Sequence, residues 1–338
     1  MFADLIEKLR RRQDLTECEA SAAMVEIMEG RVTSAQIAGV LIALSMKGER
    51  PAEIVGFART MRAQALRLSR TFSDVFDTCG TGGDRHHTFN VSSLAALTIA
   101  SCGVRVAKHG NRSVSSSSGS ADLFEALGVE IAAPPPVVER CLSEVGIAFF
   151  FAPTFHPSMR HAGPTRRDLG VRTAFNLLGP LTNPARATRQ IVGVPGPEYT
   201  DLLARALGEL GSERAWVVHG ADGLDEISTT GYTKVVEYRD GGLRTFYVHP
   251  SDLGIESSSL DALRVSGPQE SLGVARRVLA GEPGPARDFV VANAAAGLWV
   301  AGRASSLVEG AAMAVAALEA GRVNQTLDAL VECSRGRG

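Results

Sequence analysis

Two glycine-rich turns carry the residues in this chain that are best suited to chemistry. The first reads GTGGD at 80–84, and the second reads KHGNR at 108–112, followed by a serine-rich run at 113–120. Glycine lets the backbone adopt positive φ angles and lets its N–H groups approach a ligand closely. N–H groups that converge in a loop or at a helix start form an anion site. Two such turns in succession therefore predict a site for both phosphate ends of one ligand.

The residues around these turns predict the elements that must hold them. Strands are predicted at 72–78, 105–107, 129–132, 147–152, 190–194 and 215–219, with a hairpin at 234–238 and 243–248. Helices are predicted at 92–102, 121–127, 135–145 and 198–210, and Ser120 is predicted to cap the second of them. This alternation favours an α/β domain with a mainly parallel sheet flanked by helices. Ligands of such sheets bind beyond the carboxyl ends of the strands, where both turns begin.

Two ordinary explanations compete with a phosphate site. A single glycine cluster is more often a turn than a phosphate cradle, and a serine run is more often a flexible linker. The first turn also lacks the last glycine of a dinucleotide fingerprint, and the chain contains no G-x-x-x-x-G-K-[ST] motif. The serine run nevertheless lies between closely spaced strands and helices, which favours the phosphate interpretation.

The sequence predicts two domains. Residues 1–71 predict a small all-helical domain, in which Thr16 and Thr33 begin capping boxes. Residues 72–338 predict the α/β domain. A segment rich in proline and arginine at 153–186 interrupts its alternation, and the alanine-rich end of the chain is interpreted as scaffold. Four short helices carry more apolar surface than they can bury alone. That surplus predicts either a homodimer contact or packing on the second domain.

Composition narrows the class of protein. The chain has 338 residues, 45% of them hydrophobic, and a net charge of −2 with acids and bases interspersed, so it can bury a large core. The sequence shows no basic patch of the kind that binds nucleic acid. It also shows no apolar run of membrane-spanning length and no signal-peptide pattern. Five cysteines without a C-x-x-C motif fit a reduced, cytoplasmic setting, and Cys79 is interpreted as a small residue beside a turn.

Several longer motifs resemble those of the anthranilate phosphoribosyltransferases, a family of tryptophan biosynthesis. They are GTGGD with TFNVS (80–92), KHGNRSVSS (108–116) and GSADLFEALG (119–128), and the likeness continues through 156–184 and HGADGLDE at 219–226. The resemblance implies transfer of the phosphoribosyl group from 5-phosphoribosyl diphosphate (PRPP) to anthranilate, which gives N-(5-phosphoribosyl)anthranilate and pyrophosphate. It also implies that a segment at about 160–186 returns to the helical domain and forms one wall of the cleft.

The resemblance further implies which residues contact the two substrates. PRPP contacts are expected at Gly80, Gly83, Asp84, Thr88, Asn90, Val91, Ser92, Ser93, Lys108, His109, Gly110, Asn111, Arg112, Ser113, Val114, Ser115, Ser116 and Ser120. Anthranilate contacts are expected at Gly80, Asn111 and Arg166, whose guanidinium suits a bidentate grip on a carboxylate. His109 and His156 are secondary candidates near the acceptor. Arg167 and Arg172 are weaker candidates for the grip on the carboxylate, and a structural role is favoured for both.

Charge balance predicts a divalent cation. Lys108 and Arg112 cannot alone neutralise a ligand with several phosphate charges, and Mg²⁺ is the natural partner of pyrophosphate oxygens. By resemblance, Asp225, Glu226 and Ser92 are the metal ligands, two ions are expected, and Lys108, Asp225 and Glu226 take the catalytic roles. Without the family motif, an Asp-Glu pair in a loop would be interpreted as a solvated acidic turn.

Three departures from the family pattern and three alternatives remain open. Arg85-His86-His87 stands where relatives commonly have glycine, Ser93 replaces a threonine, and Ser117 stands where a lysine is frequent. The alternatives are a paralogue that acts on another aromatic amine, a pyrimidine nucleoside phosphorylase, and a non-catalytic nucleic-acid-binding relative. The favoured expectation is a cytoplasmic homodimer that binds PRPP and anthranilate, with neither a nucleic-acid partner nor a membrane.

Overall fold

Four helices form the N-terminal layer in the computed structural model, which describes residues 2–84, 86–112 and 119–336. They are α1 (Phe2–Arg10), α2 (Glu17–Met28), α3 (Ser34–Lys47) and α4 (Pro51–Gln64). The Thr16 and Thr33 hydroxyls accept the N–H groups of Glu19 and Gln36, whose side chains accept the threonine N–H groups in return. Both predicted capping boxes are therefore confirmed, and they fix where α2 and α3 begin.

A seven-stranded sheet forms the centre of the molecule. The strands are β1 (Val75–Gly80), β2 (Arg105–Gly110), β3 (Ile147–Phe151), β4 (Arg189–Gly193), β5 (Arg214–Gly220), β6 (Thr233–Arg239) and β7 (Gly242–Val248). Their order is β3-β2-β1-β4-β5-β6-β7, and the first five are parallel, whereas β6 and β7 form an antiparallel hairpin. This confirms the predicted fold class: a small helical layer and a larger α/β unit with a mostly parallel sheet.

Helices cover both faces of the sheet. They are α5 (Val91–Ser101), α6 (Ser120–Ala126), α7 (Pro135–Glu144), α8 (Ala152–Phe155), α9 (Gly163–Leu169), α10 (Ala174–Leu178), α11 (Glu198–Glu209), α12 (Pro268–Leu279), α13 (Pro285–Val300), α14 (Leu307–Glu319) and α15 (Arg322–Ser334). Four 3₁₀ helices lie at Pro157–His161, Gly179–Leu181, Pro250–Leu253 and Leu260–Leu263. Alternate side chains of β5 define two cores: Trp216 belongs to the core with α5 and α13, and Val217 to the core with α11 and the helical layer.

The helical layer shares its core with the sheet. Val192 and Val217 of the sheet and Leu203 of α11 are buried in the same cluster as α2, α3 and α4. Arg62 of α4 donates hydrogen bonds to the carbonyls of Leu181 and Leu210, at 2.6 and 2.9 Å. The apolar surplus predicted for the thin helical bundle is therefore met in part by packing within the chain.

Four details of the sequence prediction are wrong. Residues 129–132 form an irregular segment and a turn rather than a strand, because the Val129 N–H donates to the Phe124 carbonyl and β2 pairs directly with β3. The predicted strand at 105–107 continues to Gly110 because its pairing with β3 continues. The first strand is Val75–Gly80 rather than 72–78. The N-cap of α6 is Gly119, whose N–H donates to Asp122, so Ser120 is the first residue inside the helix.

Candidate functional site

Glycines terminate the central parallel strands at one edge of the sheet. β1, β2, β4 and β5 end at Gly80, Gly110, Gly193 and Gly220. β1 lies between β2 and β4, so the chain builds the sheet outward in opposite directions from this point. In open α/β sheets such a switch point leaves a crevice at the carboxyl ends of the strands. The GTGGD turn lies directly after β1, in that location.

The GTGGD turn is joined to the loop that carries Asp225 and Glu226. Gly82 and Gly83 adopt φ values of 65° and 94°, which only glycine tolerates without strain. The Thr81 N–H donates to the Gly193 carbonyl at 2.9 Å, and the Gly82 N–H donates to Asp225 Oδ2 at 3.0 Å. The N–H of Gly82, interpreted from the sequence as a phosphate donor, is thus bonded to a carboxylate of the predicted metal pair.

Two strand-end glycines make room for Asp225. A Cβ atom at Gly80 would lie 2.5 Å from Asp225 Oδ2, and a Cβ atom at Gly193 would overlap the Asp225 main-chain carbonyl. The residue after the Asp225-Glu226 pair is fixed as well, because the Asn293 side chain accepts the Ile227 N–H at 2.9 Å and donates to the Ile227 carbonyl at 3.0 Å. Asn293 thereby holds the carboxylate loop from the buried helix α13.

The carboxylates at this edge repel one another. Burial raises the pKa of Asp225, and the neighbouring Asp84 carboxylate raises it further, while the Gly82 N–H and Arg172 act in the opposite direction. Burial also raises the pKa of Glu226 well above its usual range, with Asp225 and Asp84 adding to the effect and Lys108 opposing it. Asp225 and Glu226 thus lie in a region of low solvation, close to Asp84 and with too little positive charge to offset their repulsion.

Lys108 lies under the start of α5. Its side chain is almost fully buried on β2, and its ammonium group donates to the Thr78 carbonyl at 2.5 Å and to Ser92 Oγ at 3.3 Å. Asn90 is the N-cap of α5 and accepts a hydrogen bond from Ser271 of α12 at 3.2 Å. Ser93 is buried, and in the part of the chain that the structure describes its hydroxyl has no partner.

The KHGNR residues divide between β2 and the turn after it. His109 is buried on β2, and its Nδ1 lies 3.1 Å from the Gly179 carbonyl. A Cβ atom at Gly110 would overlap Ser120 Oγ, and the Asn111 carbonyl accepts the N–H of Ala121, which ties the turn to α6. Arg112 is exposed and forms ion pairs with Asp122 and Glu125 at 2.9 and 2.8 Å.

The remaining predicted PRPP contacts lie around the same loop. Thr88 forms a β-bridge with Arg264, Val91 is buried, and Asp84 accepts the His86 N–H at 3.3 Å. A Cβ atom at Gly223 would lie 2.7 Å from His86, so this departure from the family pattern packs against the carboxylate loop. Ser113, Val114, Ser115 and Ser116, together with Arg85 and Ser117, lie outside the described residues.

Arg166 presents a guanidinium group that has no acidic partner among the described residues. It lies on α9, 5.2 Å from the ring centre of Phe175, and burial alone lowers its pKa. His109 and His156 carry neutral imidazoles, because burial lowers the pKa of His109 to about 3 and that of His156 to about 4. Their ring centres are 5.4 Å apart, and neither Nε2 atom has a partner among the residues described.

A buried pair beneath the site escaped the sequence interpretation. The carboxylate of Asp77 in β1 accepts the Asn183 side-chain amide at 2.8 Å and the His109 N–H at 3.3 Å. Asn183 also donates to the Ala107 carbonyl, so it bridges β1 and β2. Burial raises the pKa of the Cys79 thiol well above its usual range, which agrees with its interpretation as a small residue and not a nucleophile.

Some of the missed residues left a signal in the sequence. Asn293 is the one polar residue in the apolar run FVVANAAAGLWV, and a lone buried amide usually has a specific partner. Gly193 ends a strand, as Gly80 and Gly110 of the two recognised turns do. Arg172 was interpreted as structural, and its partners, Gly82 and Thr81, are 90 residues away in the chain. Nothing local in the sequence indicates such a contact.

The donor set fits Mg²⁺ only in part. Carboxylate oxygens of Asp225 and Glu226 are the ligand type that this ion prefers. Their raised pKa values show that negative charge is disfavoured at both groups, and a bound cation would stabilise that charge. Across residues 2–84, 86–112 and 119–336, however, no group of three His, Cys, Asp or Glu side chains could hold a metal unaided. Mg²⁺ commonly uses one or two carboxylates together with substrate phosphates, and this pair suits that arrangement.

Other surface features do not coincide with these residues. A depression of about 570 Å³ lies beside Pro134 and Arg335, and one of about 350 Å³ lies beside Asp240 and Arg244; neither contains a predicted site residue. Both depressions are shallow. The site is therefore located by the functional groups that meet at the GTGGD turn and the carboxylate loop, and not by the shape of the surface. Of the helices described, none is long and apolar enough to cross a membrane.

The fold and site define a class of glycosyl transferase. Residues 73–324 match the family described as "Glycosyl transferase family, a/b domain", and residues 3–65 match its "helical bundle domain". The chain is 50% identical to anthranilate phosphoribosyltransferase of Moorella thermoacetica over 331 residues, 98% of each chain. The chain therefore belongs to the anthranilate phosphoribosyltransferase family.

Solved structures of this family share the whole fold. The enzyme of Thermus thermophilus matches with a TM-score of 0.92 and 46% identity, over 98% of this chain and 99% of its own. The enzyme of Saccharomyces cerevisiae, solved in complex with PRPP and Mg, matches with a TM-score of 0.91 and 25% identity over 99% and 98% of the two chains. The same yeast enzyme has also been solved with 4-fluoroanthranilate.

Proposed function

We propose that this protein transfers the phosphoribosyl group of PRPP to anthranilate, giving N-(5-phosphoribosyl)anthranilate and pyrophosphate, in tryptophan biosynthesis. The observation that carries the proposal is the bond between the Gly82 N–H and Asp225, which brings a carboxylate pair to the phosphate turn at the switch point of the sheet. The relatives' names and the yeast complexes support the same two substrates.

PRPP is proposed to bind along the two turns and the start of α5. The first-turn N–H groups of α5 and the hydroxyls of Ser92 and Ser93 suit phosphate oxygens, with the helix dipole adding positive potential. Lys108 contributes a buried positive charge beneath them. The other proposed contacts are those that the family motif implies, including the residues outside the described ranges.

Asp225 and Glu226, with Ser92, are proposed to hold Mg²⁺, and two ions are proposed to accompany PRPP. When bound, the metal would neutralise charge on the departing pyrophosphate. The protein's own contribution is to hold the two carboxylates against the turn through Gly82, Gly193 and Asn293. Catalysis of this kind rests on electrostatics and positioning more than on covalent help from side chains.

Arg166 is proposed to grip the carboxylate of anthranilate, together with Gly80 and Asn111. Its guanidinium is half-buried, has no acidic partner among the described residues, and is oriented by the Phe175 ring, so it is prepared for a planar anion. His109 and His156 are neutral near pH 7 and add no charge to this side of the site. An arylamine is nucleophilic when neutral, so no strong general base is required to deprotonate it before attack.

A fluorescence assay tests the proposed reaction. Purified protein should consume anthranilate fluorescence only when both PRPP and Mg²⁺ are present, and EDTA should stop the loss. A screen of other aromatic amines tests the paralogue alternative, because a better substrate than anthranilate would change the acceptor. No loss of fluorescence with both co-reactants present would overturn the proposal.

The boundaries, assembly and location are proposed together with this function. We propose domains at 1–71, with a return segment at about 160–186, and at 72–338. A homodimer through the helical domain would cover Met46 of α3, which is 75% exposed, and light scattering of wild type and Met46→Glu tests it. A cytoplasmic location is proposed because all five cysteines are free thiols.

A further inference from the structure

We propose that Arg172 is a positioning residue for the binding of PRPP. Its side chain holds the GTGGD turn from the side of the helical layer. The inference rests on the proposed function and concerns the same site. It assigns a role on the PRPP side to an arginine only six residues from Arg166, which is proposed to serve the acceptor. Two neighbouring arginines would then act on different substrates.

The guanidinium of Arg172 contacts Thr81, Gly82 and Gly83 of the turn. Its Nη1 donates to the Gly82 carbonyl at 2.6 Å, and its Nη2 lies 3.3 Å from the Thr81 hydroxyl oxygen. A Cβ atom at Gly83 would overlap Nη1, so the guanidinium packs directly on the backbone of that residue. The planar fork of arginine is suited to several contacts at once, which a lysine ammonium cannot reproduce in the same geometry.

The peptide groups of Gly82 are held from two directions. The Gly82 N–H donates to Asp225, which belongs to the carboxylate loop after β5, and the Gly82 carbonyl accepts from Arg172. Because Gly82 and Gly83 adopt positive φ, the turn has no intrinsic preference for this shape strong enough to fix it alone. The contacts with Asp225 and Arg172 therefore fix the conformation of the turn.

Arg172 belongs to a segment that packs with the helical layer. It lies between α9, which contacts α3, and α10, which contacts α4. Phe175 and Leu178 of α10 are buried in the core that this layer shares with the sheet. A displacement of the helical layer would thus move Arg172 and release the turn, so the segment couples the placement of that layer to the binding of PRPP.

Steady-state kinetics of Arg172→Ala tests the role. We expect KM for PRPP to rise about tenfold to a hundredfold, the effect of losing a charged hydrogen-bonding group, with KM for anthranilate nearly unchanged. Arg172→Lys should recover only part of the loss. Arg167→Ala is the matched control, because Arg167 is an exposed arginine on α9, and it should leave both constants unchanged. An equal rise in both KM values, or no rise, would overturn the role.

Hydrogen exchange provides a readout that does not depend on turnover. In the absence of ligand, the amides of 81–84 should exchange faster in Arg172→Ala and in Arg172→Lys than in wild type or in Arg167→Ala. If wild type failed to consume anthranilate, the proposed function would be wrong, yet faster exchange would still support the contact between Arg172 and the turn. Unchanged exchange in both Arg172 variants would overturn the inference even in an active enzyme.

Discussion

The main-chain carbonyl of Asp225 lies against the Cα atom of Gly193, so closely that a Cβ atom at residue 193 would overlap it. Gly193 is the last residue of strand β4, and Asp225 lies in the loop that follows the neighbouring strand β5. Their contact fixes how far the carboxylate loop lies from the phosphate turn, because Gly193 also accepts the Thr81 N–H. Gly193 thus sets the spacing of two functional loops without carrying a functional group.

Replacing Gly193 tests this relationship. Gly193→Ala should lower the free energy of unfolding by about 1–3 kcal/mol, as overpacking of a dense site does, and should reduce turnover more than that loss of folded protein explains. Gly273→Ala on α12 is the control, since its added methyl group meets no atom within 4 Å. Chemical denaturation and kcat measure the two effects. Normal stability and turnover in Gly193→Ala would contradict the packing argument.

Arg166→Ala should raise KM for anthranilate while leaving that for PRPP nearly unchanged. Loss of a charged hydrogen-bonding partner is worth roughly 1.5–3 kcal/mol, or about tenfold to a hundredfold in affinity. The same Arg167→Ala variant is the control, because it removes a neighbouring exposed guanidinium from the same helix. Equal weakening of both substrates in Arg166→Ala would instead make Arg166 structural.

The double variant Asp225→Asn/Glu226→Gln keeps the shape of the pair and removes its charge. Turnover should fall by orders of magnitude, since a Lewis-acid metal contributes several kcal/mol of charge stabilisation. Thermal stability without ligand should be unchanged or higher, because burial and mutual repulsion already disfavour the two charged carboxylates. The stabilisation added by Mg²⁺ with PRPP should shrink. Near-normal turnover would show that the pair does not hold the metal.

The stability of the protein should fall in mild acid through two buried histidines. The pKa of His109 is lowered by burial, His156 and Lys108, and that of His156 by burial, to about 3 and about 4. Between these values and the ordinary value of 6.5, the unfolded chain binds protons that the folded chain does not. Their contribution is therefore complete above pH 6.5 and decreases as the pH falls, by about 2 kcal/mol per histidine at pH 5.

Denaturation at pH 7.5 and pH 5 measures this effect. The loss of unfolding free energy between the two pH values should be smaller in His109→Phe/His156→Phe than in wild type. Lys108 and the buried Asp77, which face the same region, are kept in the variant, so they contribute to both proteins. An unchanged pH dependence would show that the two imidazoles titrate normally in the folded protein.

Much of the fold follows from local pattern. Capping boxes at Thr16 and Thr33, the strand and helix alternation, and the Asp240-Gly241 hairpin turn depend on neighbours in sequence, so they can be predicted without the structure. The predicted strand at 129–132 is wrong because strand pairing depends on residues that are distant in the sequence. Its alternating burial comes from packing in the core, while the Val129 N–H donates to the Phe124 carbonyl and β2 pairs with β3.

The residue types at the site are also predictable from the sequence, because the glycine turns and the Asp225-Glu226 pair are contiguous motifs. How these motifs contact one another follows only from the folded chain. Gly82 bonds to Asp225 across 143 residues, Arg172 reaches Gly82 across 90, and Asn293 holds Ile227 across 66. Such contacts depend on the order of strands in the sheet and on the packing of distant helices. No local preference of the chain encodes that geometry.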